Sequence, residues 1–438
     1  MAKLVNISGF PEWLPEQKLV EDRVAATVRG IYAGFGFTPI ETPAVELLST
    51  LSSKGEIDKE IYAIRRLQAD AAEEAELALH YDLTVPFARY VAQHYAELDF
   101  PFKRYQMQKV WRGERPQKGR FREFYQFDID TICRETVPLS ADAEILCALN
   151  RAFQSIGIGR HLIKVNNRKI LLGIYEALGL GGEQRRAAVV AIDKLAKIGA
   201  AGVQAELQKA GVSTEVGQRI VELAGASFTL ADAASGLSGL GISSALFDEG
   251  CAELISIFAL LPADAAASIS LDLSLARGLD YYTGLILEVY MPDYPQFGSV
   301  GGGGRYDDLC GRFINRKLPG VGATFGLTRL MDLAISHGLL PFTAKTTSQV
   351  MLAVYSEEQR AECNRLADRI RACGLAAEVC LTSPKLGKQI DYAAGKGIPY
   401  VLFLNAENAS MEIKDLGNKT QTVVTDLEGW CRAIRQPV

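Results

Sequence analysis

The stretch Trp111–Asp130, WRGERPQKGRFREFYQFDID, sets five basic side chains among four acidic ones. Around it the pattern resolves into two alternating runs, RYQMQKVWR (Arg104–Arg112) and RFREFYQFDID (Arg120–Asp130), joined by the polar, glycine-bearing loop GERPQKG. Two such runs and a loop predict a β-hairpin. Successive strand residues point to opposite faces. Arg122, Phe124, Gln126, Asp128 and Asp130 therefore share one face, and Phe127 and Ile129 take the other. The first strand carries Gln106, Gln108 and Arg112 on its even-numbered face. One side of the hairpin is thus apolar. The other lines something that wants both a guanidinium and carboxylates, and a dipolar ligand with an anionic end satisfies both. The plainer alternative is a solvated hairpin whose charges pair with each other, an arrangement worth little energetically.

A chain of 438 residues exceeds what one hydrophobic core organises, so two or three domains are expected. With 48% hydrophobic and 23% charged residues it has the composition of an ordinary globular protein. No apolar run is long enough to span a bilayer, and MAKLVNISGF lacks the apolar core of a secretory signal, so no membrane association and a cytoplasmic location are expected. The eight cysteines form no Cys-x-x-Cys and the four histidines never fall at ligand spacing, which indicates neither a zinc site nor a disulfide framework. A net charge of −5 argues against a basic nucleic-acid-coating surface, leaving room only for a local basic patch.

Outward from the hairpin, Pro15 and Glu16 suit a helix start, and Val20, Val24, Val28, Ile31, Tyr32 and Phe35 form one stripe ended by Gly34 and Gly36. FTPIETPAVE follows as a short strand interrupted by Pro43, which cannot donate to a ladder. Residues 1–164 and 267–340 read as two parts of one core. Between them, 165–266 turns to Ala, Gly, Leu and Val at helical spacing and reads as a helical insertion. Strands resume in SISLDLSLARGLDYYTGLILEVY, and a last helix is expected over TFGLTRLMDLAISHG. After the linker LLPFTAKTTS, residues 348–438 alternate strands (QVMLAVY, AAEVCL, PYVLFL) with helices (RLADRIRACG, KQIDYAAGKG) and predict a small α/β domain.

Other stretches carry chemistry-bearing residues. HYDLTVPFARY sets Asp82 and Thr84 on an extended run, LARGLDYYTG groups Arg277, Tyr281 and Tyr282, and GATFGLTRL puts Arg329 in the first turns of a helix. Each has a bland reading: Asp82 as a helix cap, the tyrosines as core, Arg329 as a surface ion pair. Together and in this order they resemble the class II aminoacyl-tRNA synthetases, specifically the histidyl-tRNA synthetase family, over nearly the whole chain. FTPIETPAVE is similar to that class's first motif, FKRYQMQKVWRGERPQKGRFREFYQFDID to its second and GVGATFGLTRL to its third, while LARGLDYYTG and SVGGGGRYDDL resemble signatures of the histidine enzyme. One departure is Thr328, where the family usually has an acidic residue before the motif arginine.

The resemblance implies an α+β fold: an antiparallel catalytic sheet flanked by helices, an all-helical insertion, and a C-terminal α/β anticodon-binding domain. It implies a homodimer built partly through the first motif. The implied reaction joins L-histidine to tRNA(His) through histidyl-adenylate, with ATP and Mg²⁺ as cofactors and no metal ligand from protein side chains. No Walker-type Gly-x-x-x-x-Gly-Lys-Ser/Thr is present, and Gly301–Gly304 is not a dinucleotide fingerprint, so arginines must supply the phosphate contacts. By family likeness Arg112 and Arg277 hold the α-phosphate region as the catalytic pair, and Arg329 meets the outer phosphates and adenine. Glu114 contacts adenine, Phe124 stacks on the base, and Arg120 completes the ATP site. Asp82, Thr84 and Gln126 match the ammonium contacts; Asp130 and Tyr282, with Arg277, Tyr281 and Tyr306 nearby, match the histidine side-chain pocket. A bend at Gly278 is expected to bring Arg277 and Tyr282 into one pocket. A competing assignment is a non-catalytic, synthetase-like regulatory subunit of ATP phosphoribosyltransferase, which typically lacks the C-terminal domain and the motif arginines.

Overall fold

The computed structural model describes residues 4–52, 56–68, 74–276, 281–382, 385–405 and 410–434. The backbone divides into two compact units, Met1–Pro11 with Val24–Leu339, and Glu12–Arg23 with Leu340–Val438.

In the first unit the strands are, in chain order, β1 (Thr38–Pro39), β2 (Val45–Leu47), β3 (Ala63–Ile64), β4 (Leu77–Leu79), β5 (Phe102–Trp111) and β6 (Glu123–Ile132). There follow β7 (Leu162–Asn167), β8 (Ser227–Thr229), β9 (Ile269–Asp272), β10 (Leu285–Tyr290), β11 (Ser299–Tyr306) and β12 (Gly320–Phe325). Nine of them form one sheet in the order β1-β5-β6-β12-β11-β10-β7-β9-β8, and β2-β4-β3 form a small second sheet. Pairing in the large sheet is antiparallel except at β1/β5 and β7/β9.

The expected hairpin is β5/β6. Its register sets Arg104 opposite Asp130, Gln106 opposite Asp128 and Gln108 opposite Gln126, so the even-numbered residues of both strands share a face. On the other face Phe127 is fully buried and meets Tyr32 of the helix Pro15–Gly34 edge-on at 5.2 Å. That is the apolar side the alternation required. Pro43 falls between β1 and β2, which belong to different sheets, so FTPIETPAVE is two short strands.

The glycine run of β11 lies in the middle of the sheet, and its reason is spacing. A Cβ on Gly303 would lie 2.2 Å from the Gly322 carbonyl oxygen, and one on Gly301 would lie 2.7 Å from that of Thr324. These are backbone atoms of β12 that cannot move aside.

Residues 168–266 are mainly helical, from Arg168–Ala177 to Ala263–Ala266, as the composition predicts. The segment is not wholly helical, however: Ser-Phe-Thr at β8, rich in residues suited to a pleated surface, joins the sheet edge beside β9. The motif-three stretch also begins differently, since Thr324 and Phe325 end β12 and the helix spans Leu327–His337.

The second unit holds β13 (Val350–Leu352), β14 (Ala377–Val379), β15 (Tyr400–Leu404), β16 (Met411–Asp415) and β17 (Thr420–Val424), in the order β14-β13-β15-β16-β17. Helices Arg360–Ala372 and Leu427–Ile434 contribute Leu366, Ile370, Leu427 and Cys431 to a core with Val350, Leu352 and Leu402. Helix Leu386–Lys396 packs Ala393 with Met351, Val401 and Phe403, side chains of opposite parity. The β16/β17 hairpin and the last helix are additions to the strands and helices expected from sequence.

Candidate active site

A cavity of about 410 Å³ is lined by Arg112, Phe124 and Gln126 of the even-numbered hairpin face. Around it, Glu114 and Arg120 come from the hairpin loop, Asp82 and Thr84 from the segment before β5, Tyr281 and Tyr282 from before β10, and Arg329 from the helix after β12. Four separate stretches of chain thus deliver these side chains to one place. Arg277 and the bend expected at Gly278 lie outside the described residues.

Three guanidinium groups line the cavity. Arg112 donates from Nε to the Tyr81 carbonyl at 3.0 Å and sits 5.2 Å from the Phe124 ring centroid. Arg120 pairs with Glu114 at 3.2 Å. Arg329 donates to the carbonyls of Gly119 and Ser299. Burial, with Arg120 and Arg112 nearby, pushes the Arg329 pKa down to about 10. Like charges brought together at partly buried positions are expensive unless an anion is to be received. The loop that carries Arg120 is fastened from several sides. Gly119 N–H donates to Asp332 at 3.1 Å, Gly113 N–H to the Glu60 carbonyl at 2.8 Å, and Arg122 N–H to the Gly9 carbonyl at 2.7 Å.

The cavity is also lined by acceptors. Asp82 is 2% exposed; its Oδ1 accepts the Val85 N–H at 3.1 Å and its Oδ2 the Tyr281 hydroxyl at 3.4 Å. Burial raises its pKa. The N-cap is Leu83 and not Asp82, although Asp82 accepts an N–H of the helix's first turn from the position before it, which leaves the ligand reading in place. Thr84 is not on an extended run as expected: it opens the helix Thr84–Gln93. Pro86 misled the pattern, yet it lies in the first turn, where its missing N–H has no helical partner. Gln126 donates to Thr324 Oγ1 at 3.3 Å, and its own Oε1 is buried without a partner.

Asp130 and Tyr306 do not line the cavity. They lie behind it, the Tyr306 hydroxyl donating to Asp130 Oδ1 at 2.8 Å and Arg104 pairing with Asp130 Oδ2 at 2.6 Å. Space for them comes from glycines. A Cβ on Gly322 would fall 1.9 Å from Asp130 Oδ1 and 2.7 Å from the Ile129 carbonyl, and one on Gly320 would fall 2.5 Å from the Tyr306 ring. On β11, a Cβ on Gly304 would meet the Tyr282 ring at 2.8 Å. Gly322→Ala is therefore expected to lower stability by about 1–3 kcal/mol, the usual result of overpacking. Thermal melts check this; an unchanged melting temperature would contradict it.

Thr328 accepts the Tyr125 N–H at 2.8 Å, is 2% exposed, and does not line the cavity. The departure from the family pattern thus serves the junction between β6 and the helix. Sequence reasoning missed Glu60, Glu288 and Thr324, which line the cavity, and Arg104 and Asp332, which support it. For Arg104 a signal existed, since its even number places it on the face of Gln106 and Gln108. Among the described residues no three His, Cys, Asp or Glu side chains converge to hold a metal ion. Nor is any helix among them long and apolar enough to cross a membrane.

Residues 9–330 match the family model for histidyl-tRNA synthetase, and residues 349–432 match that for the anticodon binding domain. The chain is 44% identical over 431 residues to a histidine–tRNA ligase of Thermobifida fusca (strain YX), covering 97% of each protein. It is 40% identical over 437 residues to that of Micrococcus luteus, covering 96% of this chain and 95% of the relative. The crystal structure of histidyl-tRNA synthetase from Nostoc sp. PCC 7120 superposes with a TM-score of 0.88 at 34% identity, over 99% of this chain and all of that one. With one cavity lined by arginines and buried acceptors, this chain belongs to the histidyl-tRNA synthetase family.

Proposed function

We infer that the chain activates L-histidine with ATP and passes the histidyl group to tRNA(His). The observation that carries this reading is one cavity lined both by the guanidinium groups of Arg112, Arg120 and Arg329 and by the acceptors Asp82, Thr84 and Gln126. A free amino acid has a cationic and an anionic end, and ATP is a polyanion, so such a cavity suits the two together.

The ammonium group of histidine is held by Asp82, the Thr84 hydroxyl and the unpartnered Gln126 Oε1. This directs the substrate carboxylate toward the arginines. A carboxylate oxygen attacks the α-phosphorus in line, the bond to the bridging oxygen breaks, and pyrophosphate leaves with the electron pair. Negative charge grows on the phosphoryl oxygens, and permanently charged planar donors fixed in advance stabilise it. Arg112 suits this role because its Nε is already committed to Tyr81, which fixes the plane of the guanidinium. Arg277 joins it by family likeness. Arg329 takes the outer phosphates and adenine, Glu114 the adenine edge, and Phe124 stacks on the base. In the second step a terminal ribose hydroxyl of the tRNA attacks the activated carbonyl and AMP departs. Mg²⁺ accompanies ATP, held by phosphates and water, and neutralises part of their charge.

The protein works as a cytoplasmic homodimer. Val45 and Leu47 of β2 and Leu77 of β4 are exposed side by side on the small sheet, an apolar surface of the kind that a second copy covers. Histidine-dependent exchange of pyrophosphate into ATP tests the reading, together with charging of tRNA(His). Both activities are expected, with exchange absent when histidine is replaced by other amino acids. A catalytically silent regulatory subunit would show neither.

A further inference from the structure

The group behind the histidine side of the cavity is unusual in its charge balance. Arg104 is fully buried, and the carboxylates nearest to it, Asp128 and Asp130, are 2% and 3% exposed. Its guanidinium lies 2.6 Å from Asp130 Oδ2 and 3.9 Å from Asp128 Oδ2, donates to the Leu83 carbonyl and Gln106 Oε1 at 3.3 Å, and sits 4.5 Å above the Phe87 ring. Asp82 stands close enough to feel the same charge. Arg104 thus faces two buried carboxylates, Asp128 and Asp130, and shares a third, Asp82, with Arg112. Arg104 itself does not line the cavity.

We propose that Arg104 is a positioning residue for histidine recognition: from behind the cavity it holds Asp130 with one oxygen bound to the guanidinium and the other turned to the Tyr306 hydroxyl. This rests on the synthetase reading above. The geometry leaves Asp130 neither free to rotate nor exposed to solvent. Its charge reaches the ligand through the cavity wall, and Tyr282, which lines that wall, lies within its influence. The groups facing Asp130 are Arg104 on β5, Asp128 on β6, Asp82 before the helix Thr84–Gln93, Tyr282 before β10, Tyr306 on β11 and Cys310 beyond it. Arg104 is the cation among them.

Burial raises the pKa of Asp128 to about 7 and that of Asp130 to about 6, even though Arg104 pulls both down. The ionised form of each exists above its folded pKa and is lost as pH falls through it. Removing the guanidinium moves those transitions upward. At neutral pH the carboxyl groups behind the cavity would then be protonated, and raising the pH would restore them.

The test is histidine-dependent pyrophosphate exchange by the full chain, with KM measured for histidine and for ATP from pH 6.5 to 9. For Arg104→Met the histidine KM should rise at least about tenfold at pH 7, with ATP KM within about twofold. The ratio of variant to unaltered histidine KM should fall as pH rises; titration of free histidine cancels in that ratio. Arg104→Lys, which keeps the charge and loses the fork, should recover part of the affinity. Should Arg104→Met fail to fold for want of a partner to Asp130, the double variant Arg104→Met/Asp130→Asn removes both charges. It should fold and bind histidine weakly across the pH range, with the pH dependence that remains in its KM ratio being that of Asp128 alone. A pH-independent ratio in a folded Arg104→Met, or parallel rises in both KM values, or unaltered histidine KM in the double variant, would overturn the role. Absence of exchange in the unaltered chain would instead overturn the synthetase reading.

Discussion

Arg112→Ala is expected to slow pyrophosphate exchange by about 10²–10³-fold, the usual loss when one preorganised donor to developing charge is removed. The side chain is anchored through Nε to the Tyr81 carbonyl and lies beside the Phe124 ring, yet it is the tip, and not the anchor, that meets the reacting phosphate in the proposed mechanism. The fold does not depend on it: β5 and β6 pair from Phe102↔Ile132 to Trp111↔Glu123 before Arg112 is reached. The melting temperature should therefore change by only a few degrees, and histidine binding measured without ATP should change little. Arg112→Lys, with charge but without a planar fork, is expected to recover only part of the rate. A folded Arg112→Ala that keeps most of its exchange rate would remove this arginine from the transition state. The same loss is expected for Arg277→Ala.

The hairpin was legible because alternation is a local property. Parity alone puts Gln106, Gln108, Gln126, Asp128 and Asp130 on one face, and the register Gln106↔Asp128 aligns them as read. Parity does not say which residues meet across the strands. Arg104 went unremarked because its partnership with Asp130 appears only when the register is known, and its burial only when the helix bearing Phe87 is laid over it. The glycines of β11 and β12 show the same limit. Sequence context excluded a nucleotide loop, but the reason for so many glycines is the closeness of two strands and the volumes of Tyr282, Tyr306 and Asp130, which no local pattern encodes. Thr84 failed for a different reason. Pro86 disfavours helical backbone at the residue before it, Val85, while the Asp82 carboxylate accepting the Val85 N–H favours a helix start, and the helix prevailed. In the second unit the β16/β17 hairpin was obscured by its polar, largely exposed residues. Its turn is set by Asp415 accepting the N–H groups of Gly417 and Asn418, with Lys419 at a φ of 55°.

Ending the chain after Phe342 is expected to raise the KM for tRNA by about 100-fold, equivalent to roughly 2.7 kcal/mol of binding, with pyrophosphate exchange kept within about threefold. The removed part has its own cores, Leu366, Ile370, Leu402 and Cys431 on one face of its sheet and Met351, Val401 and Phe403 on the other. The residues lining the cavity all fall between Glu60 and Arg329. Adenylate formation involves ATP and histidine alone, so chemistry confined to that cavity should survive while recognition of the distant arm of the tRNA is lost. The segment Glu12–Arg23 clusters with the second unit and remains in the shortened chain, so a thermal melt must accompany the kinetics. A fragment beginning at Leu340 supplies the complementary measurement, because with two cores of its own it should fold and bind tRNA(His) weakly. Binding should also weaken with salt, as contacts to a phosphate backbone do. A shortened enzyme that charges tRNA with an unchanged KM, or a folded fragment with no affinity for tRNA, would show that the α/β domain is not where the tRNA is held.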